Sequence, residues 1–473
     1  MRKFSILISL FVCLMLVVPV SAQSGSWPTQ AGTSGVQAVN MDPSAEAHIV
    51  ATYVAENGTP YVLASQTVPV AGSYTWYAMP SDVTSFRGAV TLSSDASIAA
   101  IAKTEWGSGG DVGAACYSGK SAGALLVSLP LLVIQHYGTT SAVTVQNTDP
   151  DTATSVNIVF TPSGGAPFTR TMNIAAGAST TMDLAFDTDF VDPSAGNAGW
   201  VGSAMVKSAT IPVVAAAHTT DQVNQFVYAY DGFTVLDQSV VFTPLVRRTF
   251  YGFTSGIQVA DTGGTGGTVQ VVYSGEIWPA KTPYVYTDTG TLAAGGSVLF
   301  YQGSAYLNDS AQHLPETFLG SAKITATGTS IAVVVNDQKT TGASSAYSGF
   351  FAADGTDSLV SPLARNAFAN FTTGIQVQNI GSSAATLHVA YTTSSLSTNT
   401  TTPPSGSDRV LQPGQSTTYY LPSDWGSTSA ENAWLGSAEI TATGTDVRIV
   451  AITNDQDTVR NMGDTAIFNC PNN

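Results

Sequence analysis

A segment of roughly 110 residues occurs four times along this chain, and its later copies share near-identical phrases. Leu319-Gly320-Ser321-Ala322 leads into Ile324-Thr325-Ala326-Thr327-Gly328-Thr329. The phrase returns 116 residues later as Leu435-Gly436-Ser437-Ala438 and Ile440-Thr441-Ala442-Thr443-Gly444-Thr445. Diverged copies lie at 200–204 and 86–89. Because a repeat of this length is a structural unit, the chain must fold as four similar modules, an organisation more typical of display or assembly than of catalysis.

Each copy has the pattern of short β-strands. An opening strand alternates apolar and polar residues and ends at Asn40, Asn147, Asp261 or Asn379. Glycine-containing turns precede further alternating strands, and a nearly continuous apolar strand follows the Gly-Ser-Ala phrase, so we expect that last strand to be central and buried. The Thr-Gly-Thr turns before it fit a short hairpin.

Composition supports an all-β fold. Charged residues make up only 10% of the chain and glycine contributes 44 residues, which disfavours long surface helices and favours strands joined by turns. With about seven strands per copy, the sequence predicts four antiparallel β-sandwich modules of the immunoglobulin-like kind. The net charge of −16 argues against nucleic-acid binding through phosphate contacts.

The chain resembles the tandem immunoglobulin-like repeat proteins of bacterial cell surfaces. The resemblance rests on a leader-like N-terminus, the repeat length, and the Gly-Ile-Gln-Val-Gln-Asn and Leu-Gly-Ser-Ala phrases. It implies a surface or extracellular setting and names no activity.

Residues 1–22 have the pattern of a secretory signal peptide: a basic start at Arg2 and Lys3, an apolar stretch, and a small-residue cleavage site at Val20-Ser21-Ala22. We expect the mature protein to be secreted or held at a cell surface, without a membrane span. The predicted modules are residues 23–128, 129–243, 244–361 and 362–473.

The connectors between copies are apolar and constant in length. Pro130, Pro244 and Pro362 each lie seventeen positions before the residue that ends the next opening strand. Flexible linkers are usually polar, so this regularity predicts packed strands and a semi-rigid rod, with a flexible string of modules as the alternative.

The first and last copies lack a complete connector. These ends are either ordinary caps of a repeat array or complementary surfaces, in which case strand addition between molecules would give head-to-tail self-association. Cys116 and Cys470 lie in the tails of these two copies. In a rod they are too far apart to pair with each other, which leaves an intermolecular disulfide, a folded-back chain or two idle thiols.

Catalytic and cofactor motifs are absent from the sequence. The five histidines, of which His218 is the most suggestive, have no metal-ligand spacing. Asp187, Asp189 and Asp192 cluster oxygen ligands in one loop and are candidates for a structural calcium site, although the lack of a full ligand loop favours solvated turn acids. We expect no other cofactor and no enzymatic activity.

The sequence therefore predicts an exported structural protein that self-assembles as a coat, fibre or stalk subunit through module edges and chain ends. The alternative function is an adhesin or carbohydrate-binding array that recognises a surface glycan. In that case Trp76 and Tyr419 are the candidate sugar platforms.

Overall fold

The computed structural model folds almost entirely into β-strands. It describes residues 11–17, for the backbone only, together with 32–77, 83, 86–106, 113–134, 136, 139–163, 166–184, 199–221, 227–234, 236–303, 314–339, 344–394, 396–397, 399, 401, 403–425, 433–457 and 465–470. Four consecutive modules are present, and each is a sandwich of two antiparallel sheets.

The strands of the first two modules follow one plan. Those of module 1 are β1 (Phe11–Val17), β2 (Gly32–Asn40), β3 (Ala47–Ala55), β4 (Pro60–Val62), β5 (Gln66–Val68), β6 (Ser73–Trp76), β7 (Gly88–Ser94), β8 (Ile98–Trp106) and β9 (Gly113–Ser118). Those of module 2 are β10 (Leu126–Ile134), β11 (Thr139–Asn147), β12 (Thr154–Pro162), β13 (Phe168–Ile174), β14 (Ser179–Asp183), β15 (Trp200–Ser208), β16 (Val213–Asp221) and β17 (Val227–Asp231).

Modules 3 and 4 repeat the plan. Module 3 contains β18 (Val240–Arg248), β19 (Phe253–Asp261), β20 (Gly267–Ile277), β21 (Thr282–Leu292), β22 (Ser297–Tyr301), β23 (Phe318–Thr327), β24 (Ile331–Lys339), β25 (Ser344–Ser348) and β26 (Phe350–Phe351), followed by a single 3-10 turn at Ala352–Asp354. Module 4 contains β27 (Ser358–Asn366), β28 (Phe371–Asn379), β29 (Ala385–Thr393), β30 (Gly406–Leu411), β31 (Ser416–Tyr420), α1 (Leu421–Trp425), β32 (Trp434–Thr443), β33 (Ile449–Asp457) and β34 (Thr465–Asn469).

The predicted sandwich is confirmed, with its own strand order. In module 2 the sheets run β10-β15-β12-β13 and β14-β11-β16-β17. The first strand therefore pairs the sixth, and the seventh pairs the second, whereas an immunoglobulin constant domain pairs the first with the second and the seventh with the sixth. The apolar strands β8, β16, β24 and β33 are central, as expected. The predicted Thr-Gly-Thr hairpins are wrong, because β23 and β24 lie in different sheets and their turn crosses from one sheet to the other.

The glycine of the repeated phrase is dictated by packing. A β-carbon on Gly436 would overlap the carbonyl oxygen of Thr392 on the neighbouring strand and the indole of Trp434, which lies over the glycine. The corresponding glycines of the other copies, which meet a carbonyl oxygen and an aromatic ring in the same way, are Gly88, Gly202 and Gly320. The recurring aromatic-x-Gly sequence is therefore one packing unit that tightens the sheet where the aromatic ring covers it.

The residue that ends each second strand fastens the turns around it. In modules 1, 2 and 4 an asparagine amide donates to two carbonyl oxygens; Asn147, for example, donates to Thr152 at 2.7 Å and Ala175 at 3.1 Å. Module 3 has Asp261, which can only accept, and its carboxylate receives the N–H of Gly266 at 2.9 Å and of Gly295 at 2.7 Å. The side chain at this position therefore donates hydrogen bonds to the neighbouring turns in modules 1, 2 and 4 and accepts them in module 3.

We expect Asp261→Asn to destabilise module 3 by about 1–3 kcal/mol, because an amide nitrogen would face N–H groups that need an acceptor. Burial tends to raise the pKa of Asp261, but the Thr329 hydroxyl and the backbone N–H groups outweigh it, so the pKa is lowered. This stabilisation is complete above the unfolded pKa, near 4, and is lost as the pH falls through the lower folded pKa. Urea unfolding of both proteins between pH 7 and pH 2 should therefore give a difference that shrinks with acid; a constant difference would contradict the assignment.

The connector strands β10, β18 and β27 carry the three prolines, and each belongs to the sheet of the module that follows it. The predicted module boundaries after residues 128, 243 and 361 therefore fall inside strands. The connector strands β10 and β18 also pack against the second and seventh strands of the next module along the chain. Thus β10 contacts β19, and β18 contacts β28.

The connectors close the four modules into a ring, so the extended rod expected from the sequence is wrong. The connector β27 of module 4 packs against β2 and β8 of module 1, and β1 of module 1 packs against β11 and β16 of module 2. Hydrogen bonds also join the first and last modules: the Gln37 side chain donates to the Pro362 carbonyl at 2.5 Å, and Ser437 donates to Ala71 at 3.3 Å. Four similar interfaces, repeated around an approximate fourfold axis, leave no free module at either end.

A closed ring has a measurable size. For a compact chain of this length we expect a radius of gyration of about 23 Å by small-angle X-ray scattering. Four modules in a line would give a value roughly twice as large, and such a result would contradict the closure.

Candidate functional site at the strand slot of module 1

Each connector strand carries an irregularity at its proline. The pairing register of β10 with β15 breaks between Leu129 and Leu132, and β18 and β27 break at the equivalent places. Because proline cannot donate a ladder hydrogen bond, a bulge is where a strand tolerates it. The bulge turns the backbone of the next residue, a leucine in all three copies, toward the second sheet.

A tyrosine of the second sheet binds this turned backbone. The Tyr230 hydroxyl accepts the Leu131 N–H at 3.0 Å and donates to the Leu131 carbonyl at 2.6 Å. Module 3 repeats the pair, with the Tyr347 hydroxyl bound to the N–H of Leu245 at 3.1 Å and to its carbonyl at 2.6 Å. Burial raises the pKa of both phenols well above the usual range, which keeps them neutral and able to donate. These bonds satisfy the peptide groups that the bulge removes from the sheet.

A hydroxyl on the second strand binds the connector two residues further on. The Ser141 oxygen accepts the Val133 N–H at 2.9 Å, and in module 4 Thr373 accepts the Arg365 N–H at 2.9 Å. Ser141 is itself paired with Thr219 at 2.8 Å. In module 4, where Phe468 takes the place of the tyrosine, the Ser361 hydroxyl donates to the Leu363 carbonyl at 2.9 Å. Each connector is thus held by sheet pairing, by a hydroxyl bound to the leucine after the proline, and by one buried hydroxyl on the second strand.

In module 1 the connector position is taken by β1. We call this position, along the free edge of β7 and against β8, β11 and β16, the strand slot. β1 pairs with β7 from Phe11 opposite Ser94 to Val17 opposite Gly88, in one unbroken register. It therefore lacks the proline bulge of the other three connectors.

The residues that hold a connector elsewhere are nevertheless present around the strand slot. Tyr117 is buried and occupies the sheet position of Tyr230 and Tyr347. Ser34 occupies the position of Ser141 and pairs with Thr104 at 2.8 Å, as Ser141 does with Thr219. Module 1 thus carries the residues that bind a bulged connector, while the strand paired there has no bulge.

The eighth strands of the four modules meet around the axis of the ring. The Ser118 N–H donates to the Asp231 carboxylate at 3.2 Å, and Ser348 donates to the Asp231 carbonyl at 2.7 Å. Asn469 donates to the Ser348 carbonyl at 3.0 Å, and Ser118 donates to the Asn469 carbonyl at 3.0 Å. These four equivalent residues form one closed belt of hydrogen bonds. Burial raises the pKa of Asp231, which Lys120 at 3.6 Å and the Ser118 N–H only partly offset.

A buried ion cluster fastens module 4 to module 1. Arg365 forms an ion pair with Asp455, and Lys103 of module 1 reaches the same carboxylate at 3.2 Å. Both cations also lie over the ring of Phe371. Burial tends to raise the pKa of Asp455, but the charges of Arg365 and Lys103 outweigh it and lower the pKa. Module 3 has a related pair, Arg247 with Asp337, and module 2 has uncharged residues in its place.

Comparisons with known proteins find no matching protein family and no matching curated protein. Among solved structures, the chain is similar to "Thermotoga maritima 1070", with 18% identity and a TM-score of 0.20 over 24% of this chain and 96% of that one. It is also similar to a "tetra-tandem repeat in extending region of large adhesion protein", with 14% identity and a TM-score of 0.12 over 96% of this chain and 97% of that one. The resemblance to tandem-repeat proteins noted from the sequence is confirmed at the level of architecture by the fold of the chain itself, which has four consecutive β-sandwich modules.

The two aromatic residues predicted as sugar platforms are core residues. Trp76 is 5% exposed and packs inside module 1, and Tyr419 is 0% exposed beneath the Arg409 guanidinium. The prediction is wrong for both, because alternation along β6 and β31 turns these rings inward. Their neighbours Tyr77 and Tyr420 are the exposed ones.

Cys116 and Cys470 are buried and unpaired. Cys116 lies between modules 1 and 4 with Phe468 and Leu363, and Cys470 lies in the core of module 4, 3.2 Å from the Thr453 hydroxyl. The sequence predicted a rod, in which the two thiols would lie far apart. In the ring, β9 and β34 are neighbours, so this expectation no longer holds. Burial raises the pKa of both thiols, that of Cys470 to about 12. The intermolecular disulfide would need thiols that the fold keeps inside.

We expect both thiols to resist a water-soluble disulfide reagent in the native protein, because neither sulfur is accessible or ionised at neutral pH. In denaturant the mature chain, which lacks Cys13 of the predicted leader, should react with two equivalents at once. Rapid labelling of the native protein, or a reductant-sensitive dimer on electrophoresis, would contradict this expectation.

Asp187, Asp189 and Asp192 lie outside the described residues, and the calcium prediction stays a prediction. Within the described residues no group of three or more acidic, histidine or cysteine side chains is placed to hold a metal ion. His218 lies on β16 beside module 1, and burial, with the charge of Arg87, lowers its pKa to about 4. Among these residues no helix has the length and apolar character to cross a membrane.

The residues that hold the connectors were not among the sequence predictions. A tyrosine recurs in the segment after the seventh strand as Tyr117, Tyr230 and Tyr347, and a hydroxyl residue recurs near the start of each second strand. Aligning the copies through their tails would have found both signals, but the partner of each residue is visible only in the fold.

Proposed function

We propose that this protein is an exported structural component of a cell surface or extracellular assembly, and that it acts by association without turning over a substrate. The observation that carries the proposal is that, of the four connector positions in the ring, the strand slot of module 1 is filled in a different way from the other three. Three connector positions are filled by strands of the chain itself, and the fourth is filled by a segment of the predicted leader.

Removal of the leader would expose the edge of β7. A strand edge with free N–H and C=O groups is a template for another strand, and strand addition gives stable, directional association. In the other three modules this strand edge is already paired, because the connector strand belongs to the same chain and stays in place after the leader is removed. The ring would therefore associate through one defined place, in contrast to the two ends of a rod.

The rest of the molecule suits a rigid support. Closure by four similar interfaces, the belt of hydrogen bonds at the axis, and the ion cluster between modules 1 and 4 all restrict motion between modules. The sparse and mainly acidic charge suits an exposed extracellular surface.

The experiment expresses the complete chain in a bacterial host that exports proteins and follows its processing. We expect N-terminal sequencing of the exported protein to begin at Gln23, and electron microscopy of the cell surface to find it in assemblies labelled by antibody. Retention in the cytoplasm with Met1 intact, or hydrolysis of a glycan or peptide substrate by the pure protein, would overturn the proposal.

A further inference from the structure

We propose that the strand slot of module 1 binds a connector-type strand of a second polypeptide: an extended apolar segment that contains a Pro-Leu pair. The inference rests on the proposed function in one respect, namely that the leader leaves the slot. It goes further by naming the chemistry of the occupant.

The first argument is the equivalence of the four positions. In modules 2, 3 and 4 the strand beside the sixth strand reads Ser-Leu-Pro-Leu, Phe-Thr-Pro-Leu and Val-Ser-Pro-Leu at its bulge. β7 is the sixth-strand equivalent in module 1 and pairs in the same antiparallel direction. A strand that enters the slot therefore has the same neighbours as the Pro-Leu bulges of the other three modules.

The second argument is the pair of residues that contact a connector. The hydroxyls equivalent to Tyr117 bind the N–H and carbonyl of the leucine after the proline. The hydroxyl equivalent to Ser34 accepts an N–H two residues later. A Pro-Leu bulge in the slot would present one peptide unit to Tyr117 in the same way. The slot therefore suits a bulged strand.

The third argument excludes occupants from this chain. Residues 23–31, which would remain after cleavage, contain one large apolar side chain, Trp27, and no Pro-Leu pair. In a second copy, the three Pro-Leu strands are already paired on the inside of their own modules. The occupant therefore comes from a different exported polypeptide.

The test uses the mature protein, residues 23–473, and a fluorescent peptide with the sequence of residues 356–368, extended by lysines for solubility. The peptide carries valine in place of Arg365, because module 1 has Thr104 where module 4 has Asp455. We expect this peptide to bind at least tenfold more tightly than a permuted peptide of the same composition. Hydrogen exchange should show new protection of the β7 amides, and the chain that retains its leader should bind neither peptide.

Variants of the protein test the specificity. Tyr117→Phe should weaken binding about tenfold, because it removes two hydrogen bonds to the leucine peptide unit. Phe468 occupies this position in module 4, so the substitution is compatible with the fold. Tyr230→Phe is the matched control: its slot is filled by β10, so peptide affinity should be unchanged.

Several results would overturn the inference. One is equal affinity for the intended and the permuted peptide. Another is protection of β7 in the mature protein without any peptide, which would mean that residues 23–31 fill the slot. A third is a concentration-dependent dimer in light scattering whose formation protects β7, which would assign the slot to a second copy. None of these results bears on export or surface location, so the proposed function would fail or survive separately.

Discussion

Replacing Asp455 by alanine is expected to lower the free energy of unfolding by about 3–5 kcal/mol, the usual cost of removing one partner of a buried ion pair. Asp455 is 0% exposed, and its carboxylate is the common partner of Arg365 and Lys103. Without it, Arg365 is a buried cation with no counter-charge in contact, and the bond from module 1 to module 4 is lost. Urea unfolding followed by tryptophan fluorescence measures the first effect, and small-angle scattering detects any opening of the ring.

A double variant separates the loss of a charge from the loss of packing. Module 2 carries Val133 and Thr219 at the positions of Arg365 and Asp455, so Arg365→Val with Asp455→Thr copies a solution that the chain already uses. Lys103 keeps its ion pair with Glu105 at 2.9 Å. We expect the double variant to lie within about 2 kcal/mol of the parent, since uncharged replacements of buried pairs are often neutral. A double variant as unstable as Asp455→Ala would show that packing, and not an unpaired charge, dominates.

The ion cluster also predicts acid sensitivity. Because the pKa of Asp455 is lowered in the folded protein, its contribution is complete above the unfolded value near 4 and declines as the pH falls through the folded value. The stability of the parent relative to the double variant should therefore fall in acid.

Gly436→Ala is the second large effect, with an expected loss of about 3 kcal/mol or more. The new β-carbon would overlap the Thr392 carbonyl oxygen of the neighbouring strand, so relief requires the two strands to separate or Trp434 to leave its place over the glycine. Overpacking of a rigid core costs about 1–3 kcal/mol, and a clash with backbone lies at or beyond the upper end. Thermal unfolding of the variant should give a clearly lowered midpoint.

Gly374→Ala is the matched control in the same module. Its β-carbon would lie 3.6 Å from the Thr418 methyl group, an ordinary contact, so we expect a change of less than about 1 kcal/mol. Similar losses in both variants would mean that any added methyl group is disruptive in this module, and the special role of the phrase glycine would be wrong.

The local pattern of the chain determined much of the fold. Alternation of apolar and polar residues up to Asn40, Asn147, Asp261 and Asn379 correctly predicted the second strands, and the continuous apolar runs correctly predicted the central seventh strands. Both predictions succeed because the spacing of apolar residues along a strand reflects which of its faces are buried. The constant spacing of Pro130, Pro244 and Pro362 correctly indicated packed connectors. Trp76 and Tyr419 were misplaced because alternation identifies two faces of a strand without saying which one is buried.

The sequence by itself determined four β-sandwich modules joined by packed strands. The tertiary structure decided that these modules close into a ring, because closure depends on contacts such as Lys103 with Asp455 between residues 352 positions apart. It also decided that the Thr-Gly-Thr turns cross between sheets and that Tyr117 and Ser34 line a strand slot. The period of apolar residues depends on how each strand is buried within its own module. The angle between modules instead depends on contacts between side chains that are distant in the sequence and meet only after folding. The repeated phrase therefore specified the module, and the contacts between modules specified the ring.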